Sequence, residues 1–426
     1  MSITSMSLEN LHFLLQHMEA NRRFEIYNRC PSLREFEKSV PLKINSLVLS
    51  ENCVVVNDTT YKLGIIQKCY VGETPQHVAA RNEIGGAEYE LDAYGIIDES
   101  DSRTVTPGDV TVIQNEEPFM HDDDLYMRGL EQIIQIFEEN LAGQRERRPR
   151  GNREAVDRIE KTIEGARAKL FDYQRRRENI PSRYENFFQL TKSPTVDMQE
   201  QKTFERYKHN KKFSEGMKQM ATKLFGGRSS PINVKKLTFD CGMGAIRLPV
   251  GLRLHIEQLM FCTISQATLE ALAPILHESS FPLKKLGIAV LSVNDATNPM
   301  VNTAEKLRIG HFHQNDLQTI LSMTNPVIHV DMLKLPEETI ERLIAIWIAS
   351  NHPIGIERIF SFFRAPIFAS EVEEILKKLN GTPVDDETVT ISMSAATQLK
   401  VSYGPFPEFA PRAKWAFRFL TEAIEH

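Results

Sequence analysis

Very little in this 426-residue chain suits covalent cross-linking or membrane insertion. The five cysteines (Cys30, Cys53, Cys69, Cys241, Cys262) are scattered, odd in number and form no C-x-x-C pair. That argues against a disulfide framework and fits a reducing compartment, where they serve as small buried hydrophobes. The longest apolar run, Leu343 to Ala349, is far too short to span a bilayer. No basic-then-apolar start indicates a signal peptide, so cytosol or nucleus is the expected location. No G-x-S-x-G, H-E-x-x-H or kinase signature is present. The expectation is therefore a protein that is not an enzyme and holds no cofactor and no metal.

What is present is a six-residue phrase, apolar-x-x-apolar-x-apolar. It reads Val234-Lys235-Lys236-Leu237-Thr238-Phe239, then Ile256-Glu257-Gln258-Leu259-Met260-Phe261, then Leu283-Lys284-Lys285-Leu286-Gly287-Ile288. It returns at Ala304 to Ile309 and at Val327 to Met332. Units of roughly 20–29 residues carrying such a phrase mark leucine-rich-repeat-type stacking. The fourth and sixth positions share one side of a strand, so parallel strands can stack them into a continuous core. Helical patterns fall between phrases, at Gln266–Glu278, Asn315–Met323 and Glu337–Ser350, while 289–303 reads as loop without helix. The predicted fold class is α/β: an irregular leucine-rich-repeat-like β-α solenoid with an N-terminal helical segment and an inserted helical hairpin. A chain this long exceeds one ordinary compact core unless repeats extend it.

The predicted divisions are 1–40, helical; 41–125, β-rich and acidic, starting the sheet at Ile44-x-x-Leu47-x-Leu49; 126–230, charged and helical; and 231–426, the repeats with a cap. Ser7 can cap the first helix, Pro31 interrupts the helical segment and Ser32 can cap the next turn. A hairpin turn is expected at Asn57-Asp58-Thr59-Thr60, and strands near Glu88–Ile97 and Val110–Ile113. One amphipathic helix carries Leu130, Ile133, Ile134, Phe137 and Leu141 and ends at Gly143. A seam at Val156, Ile159, Ile163, Ala166, Leu170 and Tyr173 predicts its hairpin partner. A third helix stops at Gly226-Gly227. Later strands are expected at Thr388–Met393 and Gln398–Tyr403, and a terminal helix over Phe417–Ile424.

Charge is segregated behind the net value of −6. Residues 81–125 carry 13 acidic and 2 basic side chains, and residues 141–225 carry 21 basic and 12 acidic ones. Acids are interleaved among the bases at helical spacing, which favours a solvated helical face, docked near the acidic stretch, over nucleic-acid contact. His121-Asp122-Asp123-Asp124 reads as an acidic loop and helix cap, and His311-Phe312-His313 supplies too few ligands for zinc. Cys241 to Arg247 contains G-x-G, but Arg247 replaces the third glycine of a dinucleotide fingerprint. Gly226-Gly227-Arg228 lacks the Walker lysine.

Leu8, Leu11, Leu14-Leu15, Met18, Asn21-Arg22, Ile26 and Arg29-Cys30-Pro31-Ser32-Leu33 resemble an F-box. The wider chain resembles a nematode family of uncharacterised F-box-like proteins with an associated domain of unknown function. That likeness rests on Arg29–Leu33, Glu37-Lys38, Pro41-Leu42, Asn57–Gly64, Lys223–Arg228 and Leu248-Pro249-x-Gly251-Leu252. The resemblance implies a substrate-recognition adaptor, docking on the Skp-type adaptor of a cullin-based ubiquitin ligase through Leu8, Leu11, Leu15, Met18 and Ile26. Two other readings stand beside it. The N-terminal helices can be a purely structural cap on a repeat scaffold that binds some protein target, or residues 145–183 can contact nucleic acid.

Overall fold

The computed structural model describes residues 7–101, 104–111, 122–147, 153–195, 202–240, 244–261, 266–290, 295–311, 317–332, 337–350, 352–362, 381–385, 387–404 and 415–424. The fold is mixed α/β. Its described strands are β1 (Lys43–Ser50), β2 (Cys53–Val56), β3 (Thr59–Cys69), β4 (Val110–Thr111), β5 (Tyr184–Pro194), β6 (Thr203–Lys208), β7 (Ile232–Asp240) and β8 (Ala245–Ile246). They continue as β9 (Leu254–Phe261), β10 (Lys285–Val290), β11 (Lys306–His311), β12 (Val327–Met332), β13 (Glu357–Phe362), β14 (Thr382–Asp385), β15 (Thr388–Ser392), β16 (Thr397–Gly404) and β17 (Trp415–Ala423). The chain divides into two compact units. One comprises Met1–Leu49, Arg228–Gly242 and Arg253–His426; the other comprises Ser50–Gly227 and Met243–Leu252.

In the first unit the strand order is β14-β15-β16-β17-β13-β12-β11-β10-β9-β7-β1. The six strands β7 and β9 to β13 are parallel. Their register stacks the fourth phrase position into one row, Leu237 beside Leu259, Leu259 beside Leu286, and Leu286 beside Leu307. All four side chains are buried. Burying a leucine fully is worth roughly 1.5–3 kcal/mol, so this row contributes several kcal/mol of apolar stabilisation to the unit. The predicted adjacency of these hydrophobic phrases is therefore present.

One phrase sits in a different register from the one predicted. Leu307 pairs with Ile328, and Ile309 with Val330. The fifth phrase thus begins at Asn325, two residues before Val327. A two-residue shift keeps every side chain on its original face, because the pleat repeats every two residues. Asn325 is buried at the apolar first position, and its amide donates to the carbonyls of Val301 (2.7 Å) and Ala304 (2.8 Å). A polar residue that donates to backbone carbonyls in this way is invisible to a search for apolar periodicity. The next strand departs further. Ile328 pairs with Arg358, which occupies the leucine row and is fully buried.

Helices follow the parallel strands at Gln266–Leu272, Pro299–Asn302, Leu317–Ser322 and Glu337–Ser350. The second corrects the loop expected over 289–303. Its start signals were present, since the Asn298 side chain accepts from the Met300 amide and Pro299 opens the turn. The helix Glu337–Ser350 buries Trp347, whose indole donates to Thr421 Oγ1 at 3.0 Å and whose ring lies 6.0 Å from that of Phe419. This helix therefore covers the sheet face that carries Arg358, Phe360 and Phe419. The opposite face carries the third, fifth and seventh positions of each phrase.

The helix expected over Phe417–Ile424 is a strand. In β17 Phe417, Phe419 and Thr421 are buried while Arg418, Leu420 and Glu422 are less so. That is period two, filled with aromatic and β-branched residues that favour strands. β17 pairs antiparallel with both β13 and β16. The strands expected at Thr388–Met393 and Gln398–Tyr403 are present as β15 and β16.

At the N-terminal end, Ser7 caps the helix Leu8–His17 by accepting from the Asn10 amide at 3.2 Å. The chain then forms the helix Ala20–Arg29, a 3-10 turn Pro31–Leu33 and the helix Arg34–Ser39. Ser32 makes no capping bond; it lies inside the 3-10 turn, and Leu33 precedes the helix.

In the second unit the strand order is β2-β3-β5-β6, with β4 paired to β8 separately. Asn57, at φ 54°, turns β2 into β3. β3 pairs with β5 over eleven residues, from Thr59 opposite Pro194 to Cys69 opposite Tyr184. Periodicity did not reveal β5 and β6. In β5 the buried set includes Gln189 and Thr191, and every residue of β6 is exposed. The helix Gln76–Glu83 was also missed, and the strand expected at Glu88–Ile97 is reduced to isolated bridges, Ile65 to Ala87 and Leu91 to Ile97. The predicted hairpin is present as helices Asp123–Arg147 and Arg153–Arg177, meeting through Met127, Leu130, Ala166 and Tyr173. The first runs past Gly143, which costs only about 1 kcal/mol relative to alanine in a helix interior. The helix Phe213–Phe225 ends as expected, with Gly227 at φ 70°.

Candidate functional site

The five residues expected to dock on an adaptor do not share one environment. Leu8 is 70% exposed, Leu11, Met18 and Ile26 are half-buried, and Leu15 is fully buried. The apolar side chains the first helix offers to solvent are instead Leu8, Phe13 and Leu14, the last two 66% and 43% exposed. The following helices are fixed inward. Arg23 Nε donates to Glu37 Oε1 at 2.9 Å, and the rest of its guanidinium donates to the carbonyls of Pro41, Glu37 and Val40. Arg228 reaches both Glu37 oxygens, at 3.1 and 3.2 Å. All three side chains are buried. Burial holds both guanidinium groups below their ordinary arginine range, partly offset by Glu37. Helices, Glu37 and the start of β1 are thereby tied into one buried ionic cluster.

Part of the basic helical stretch is ion-paired within its own unit. Arg176 pairs with Asp92 and Asp123, Arg167 with Glu138, Arg183 with Asp172, Lys212 with Asp98 and Lys218 with Asp109. Several of these acids belong to the acidic segment 81–125. Asp122 accepts from the amides of Asp124 and Leu125, so it caps the helix Asp123–Arg147. His121, the side chain of His311, and His313 lie outside the described residues. Among the described residues, no cluster of three or more His, Cys, Asp or Glu could hold a metal. No described helix is long and apolar enough to cross a membrane.

A concentration of basic side chains lies on the opposite face of the parallel sheet. The third phrase position runs Lys236, Gln258, Lys285, Lys306 across β7, β9, β10 and β11. Arg308, one pleat further along β11, stands beside His329 of β12. All of these except Lys236 line a shallow hollow of about 550 Å³, together with Lys284 and the acidic Glu305. Neighbouring strands lie about 4.8 Å apart, so Lys285 and Lys306 are adjacent in the row. Lys285 is half-buried; desolvation pushes its ammonium below the ordinary lysine value, and Arg308, Lys236 and Lys306 lower it further. Two of the nearby cations are paired, Lys284 with Glu257 at 3.1 Å and Arg308 with Asp331 at 2.8 Å. Among the described residues Lys236, Lys285 and Lys306 have no such carboxylate.

Beside the hollow, His329, Asp331 and Ser361 are buried together. His329 Nε2 lies 2.7 Å from Ser361 Oγ and 3.3 Å from Asp331 Oδ1, and Ser361 Oγ donates to Asp331 Oδ1 at 2.7 Å. In a hydrolase triad the acid and the nucleophile use different ring nitrogens. Here both meet the same nitrogen, so the arrangement cannot relay a proton through the ring. It fixes Asp331, which in turn orients Arg308 through Nε and Nη2.

The sequence reading passed over this face because it followed the apolar positions. The signal was in the gaps: lysine fills the third position in the phrases that begin at Val234, Leu283 and Ala304. Residues 212–364, which include all of these cations, match the family described as Domain of unknown function (DUF3557). Comparison with curated proteins and with solved structures found no match.

Proposed function

We propose that the chain is a non-catalytic protein-interaction protein whose parallel sheet presents its cationic face to an acidic segment of another protein. The stacked β-α units support a leucine-rich-repeat-like solenoid, an architecture whose sheet commonly serves as an extended binding surface. The observation that carries the reading is the row Lys236, Lys285 and Lys306, none of them ion-paired among the described residues, with Arg308 beside it on the same face. Like charges held together disfavour the isolated fold and favour an oppositely charged partner. A labelled peptide rich in Asp and Glu should bind the full chain, as read by fluorescence anisotropy. Its Kd should rise about tenfold from about 50 to about 300 mM salt as screening grows. Charge reversal at Lys285→Glu with Lys306→Glu should remove that binding; a double variant that binds as the parent does would refute the proposed surface.

A second reading, the F-box-like adaptor, is favoured by the exposed Leu8, Phe13 and Leu14. The burial of Leu15 limits the docking face to this outer edge. Leu8→Asp with Leu14→Asp should then weaken binding to a purified Skp-type adaptor at least fivefold without lowering the melting temperature. No adaptor binding by the parent chain ends this reading and leaves the sheet-face reading intact.

A further inference from the structure

We infer that the cationic hollow on the parallel sheet is a receptor for a phosphorylated serine or threonine carried by an extended segment of the partner protein. This rests on the reading of that face as an interaction surface and names what the surface selects. The argument concerns the kind of anion. Three of the four cations are lysines, whose ammonium groups act as point charges without the planar fork that matches a carboxylate. The one arginine, Arg308, already spends Nε and Nη2 on Asp331. A carboxylate brings one charge and a flat pair of oxygens. A phosphate monoester brings a charge of about −1.5 to −2 at neutral pH and three acceptor oxygens in a compact tetrahedral array. Lys285 and Lys306 on adjacent strands, with Arg308 one pleat along and Lys236 two strands from Lys285 in the same row, favour the denser anion.

The surroundings also select against a nucleic-acid strand. Single-stranded binding sites combine a basic groove with aromatic platforms on which bases stack. The uncharged side chains lining this hollow are Gln258, Leu307 and Val327, with no phenylalanine, tyrosine or tryptophan among them. The cations stand side by side on neighbouring strands, so their row crosses the sheet, and beside it the Met260 side chain covers Gly287, where a Cβ would collide with it. The ligand is therefore a charged group on an extended chain lying across the strands.

The test uses the full chain and two fluorescein-labelled seven-residue peptide libraries. One has a central phosphoserine, the other a central aspartate, with the same randomised flanks. The phosphoserine library should bind at least tenfold more tightly, and millimolar inorganic phosphate should compete. Lys285→Met and Lys306→Met should each weaken that binding at least tenfold. Lys285→Met should melt no lower than the parent, because it removes a cation crowded by three others. Equal affinity for the two libraries would overturn the phosphate assignment while leaving the interaction reading standing. Binding that survives both lysine substitutions, or no binding of either library at low salt, would overturn both. Tighter binding of a single-stranded oligonucleotide through the same lysines would also overturn the assignment.

Discussion

Replacing Glu37 with alanine is expected to destabilise the fold by about 3–5 kcal/mol, because removing one member of a buried ionic cluster strands the others. Arg23 and Arg228 both direct donors at this carboxylate, and both are buried with it. Neither guanidinium can shed its charge at neutral pH, so each would remain charged with less compensation. Urea unfolding should show the midpoint moving down with an unchanged slope. A loss below about 1 kcal/mol would mean that water or a rearranged side chain replaces the carboxylate. A further comparison separates pairing from packing. The triple substitution Arg23→Met, Glu37→Leu and Arg228→Met should recover only part of the loss, since it removes the stranded charges but leaves the carbonyls of Pro41, Glu37 and Val40 without the Arg23 donors. The helices would then remain docked with no ions beneath them.

The second large effect is expected at Arg358. This residue stands where Leu237, Leu259, Leu286 and Leu307 stand in earlier strands, so Arg358→Leu seems at first to restore the pattern. It should instead cost on the order of 3 kcal/mol, because buried carbonyls lose their donors. Arg358 donates to Met323 (2.6 Å), Asn325 (3.0 Å) and Glu357 (2.9 Å), and more distantly to Ile320 (3.4 Å). Ile320 and Met323 belong to the last turn and exit of the helix Leu317–Ser322, where carbonyls have no helical partner. Among the described residues no carboxylate pairs with it. Burial pushes the guanidinium down to about 10, which still leaves it charged at neutral pH. Lysine should not substitute, since a single ammonium cannot reach carbonyls spread around a planar fork. Chemical denaturation of Arg358→Leu and Arg358→Lys checks both statements; an Arg358→Leu protein as stable as the parent would mean the carbonyls find water.

The parallel core was legible because its period is carried by leucines that no other force displaces. Leu237, Leu259, Leu286 and Leu307 fall in register as their spacing requires. Legibility failed where a polar side chain took an apolar position and donated to backbone carbonyls, as Asn325 and Arg358 do. It failed again in β5 and β6, where pairing to β3 supplies the strand conformation and the exposed sequence Thr203–Lys208 carries no alternation. In β17 the alternation was present but read at the wrong period. The candidate site was hidden for a different reason. Its lysines are 49 and 21 residues apart, from Lys236 to Lys285 and from there to Lys306. Only strand pairing makes them neighbours. At the N-terminal end, spacing showed an apolar helix face but could not say which of its members the fold would keep, and the fold keeps Leu15 while leaving Leu8 outside.

The position of β17 has a consequence for biosynthesis. It is hydrogen-bonded on one side to β13 and on the other to β16, although β14, β15 and β16 all precede it in the chain. While the polypeptide is still emerging from the ribosome, the hairpin strands are made before the keystone that joins them to the parallel strands. Until residues 415–423 clear the exit tunnel, β13 shows a bare edge, and a translation arrest just short of that point would release a chain with an open seam.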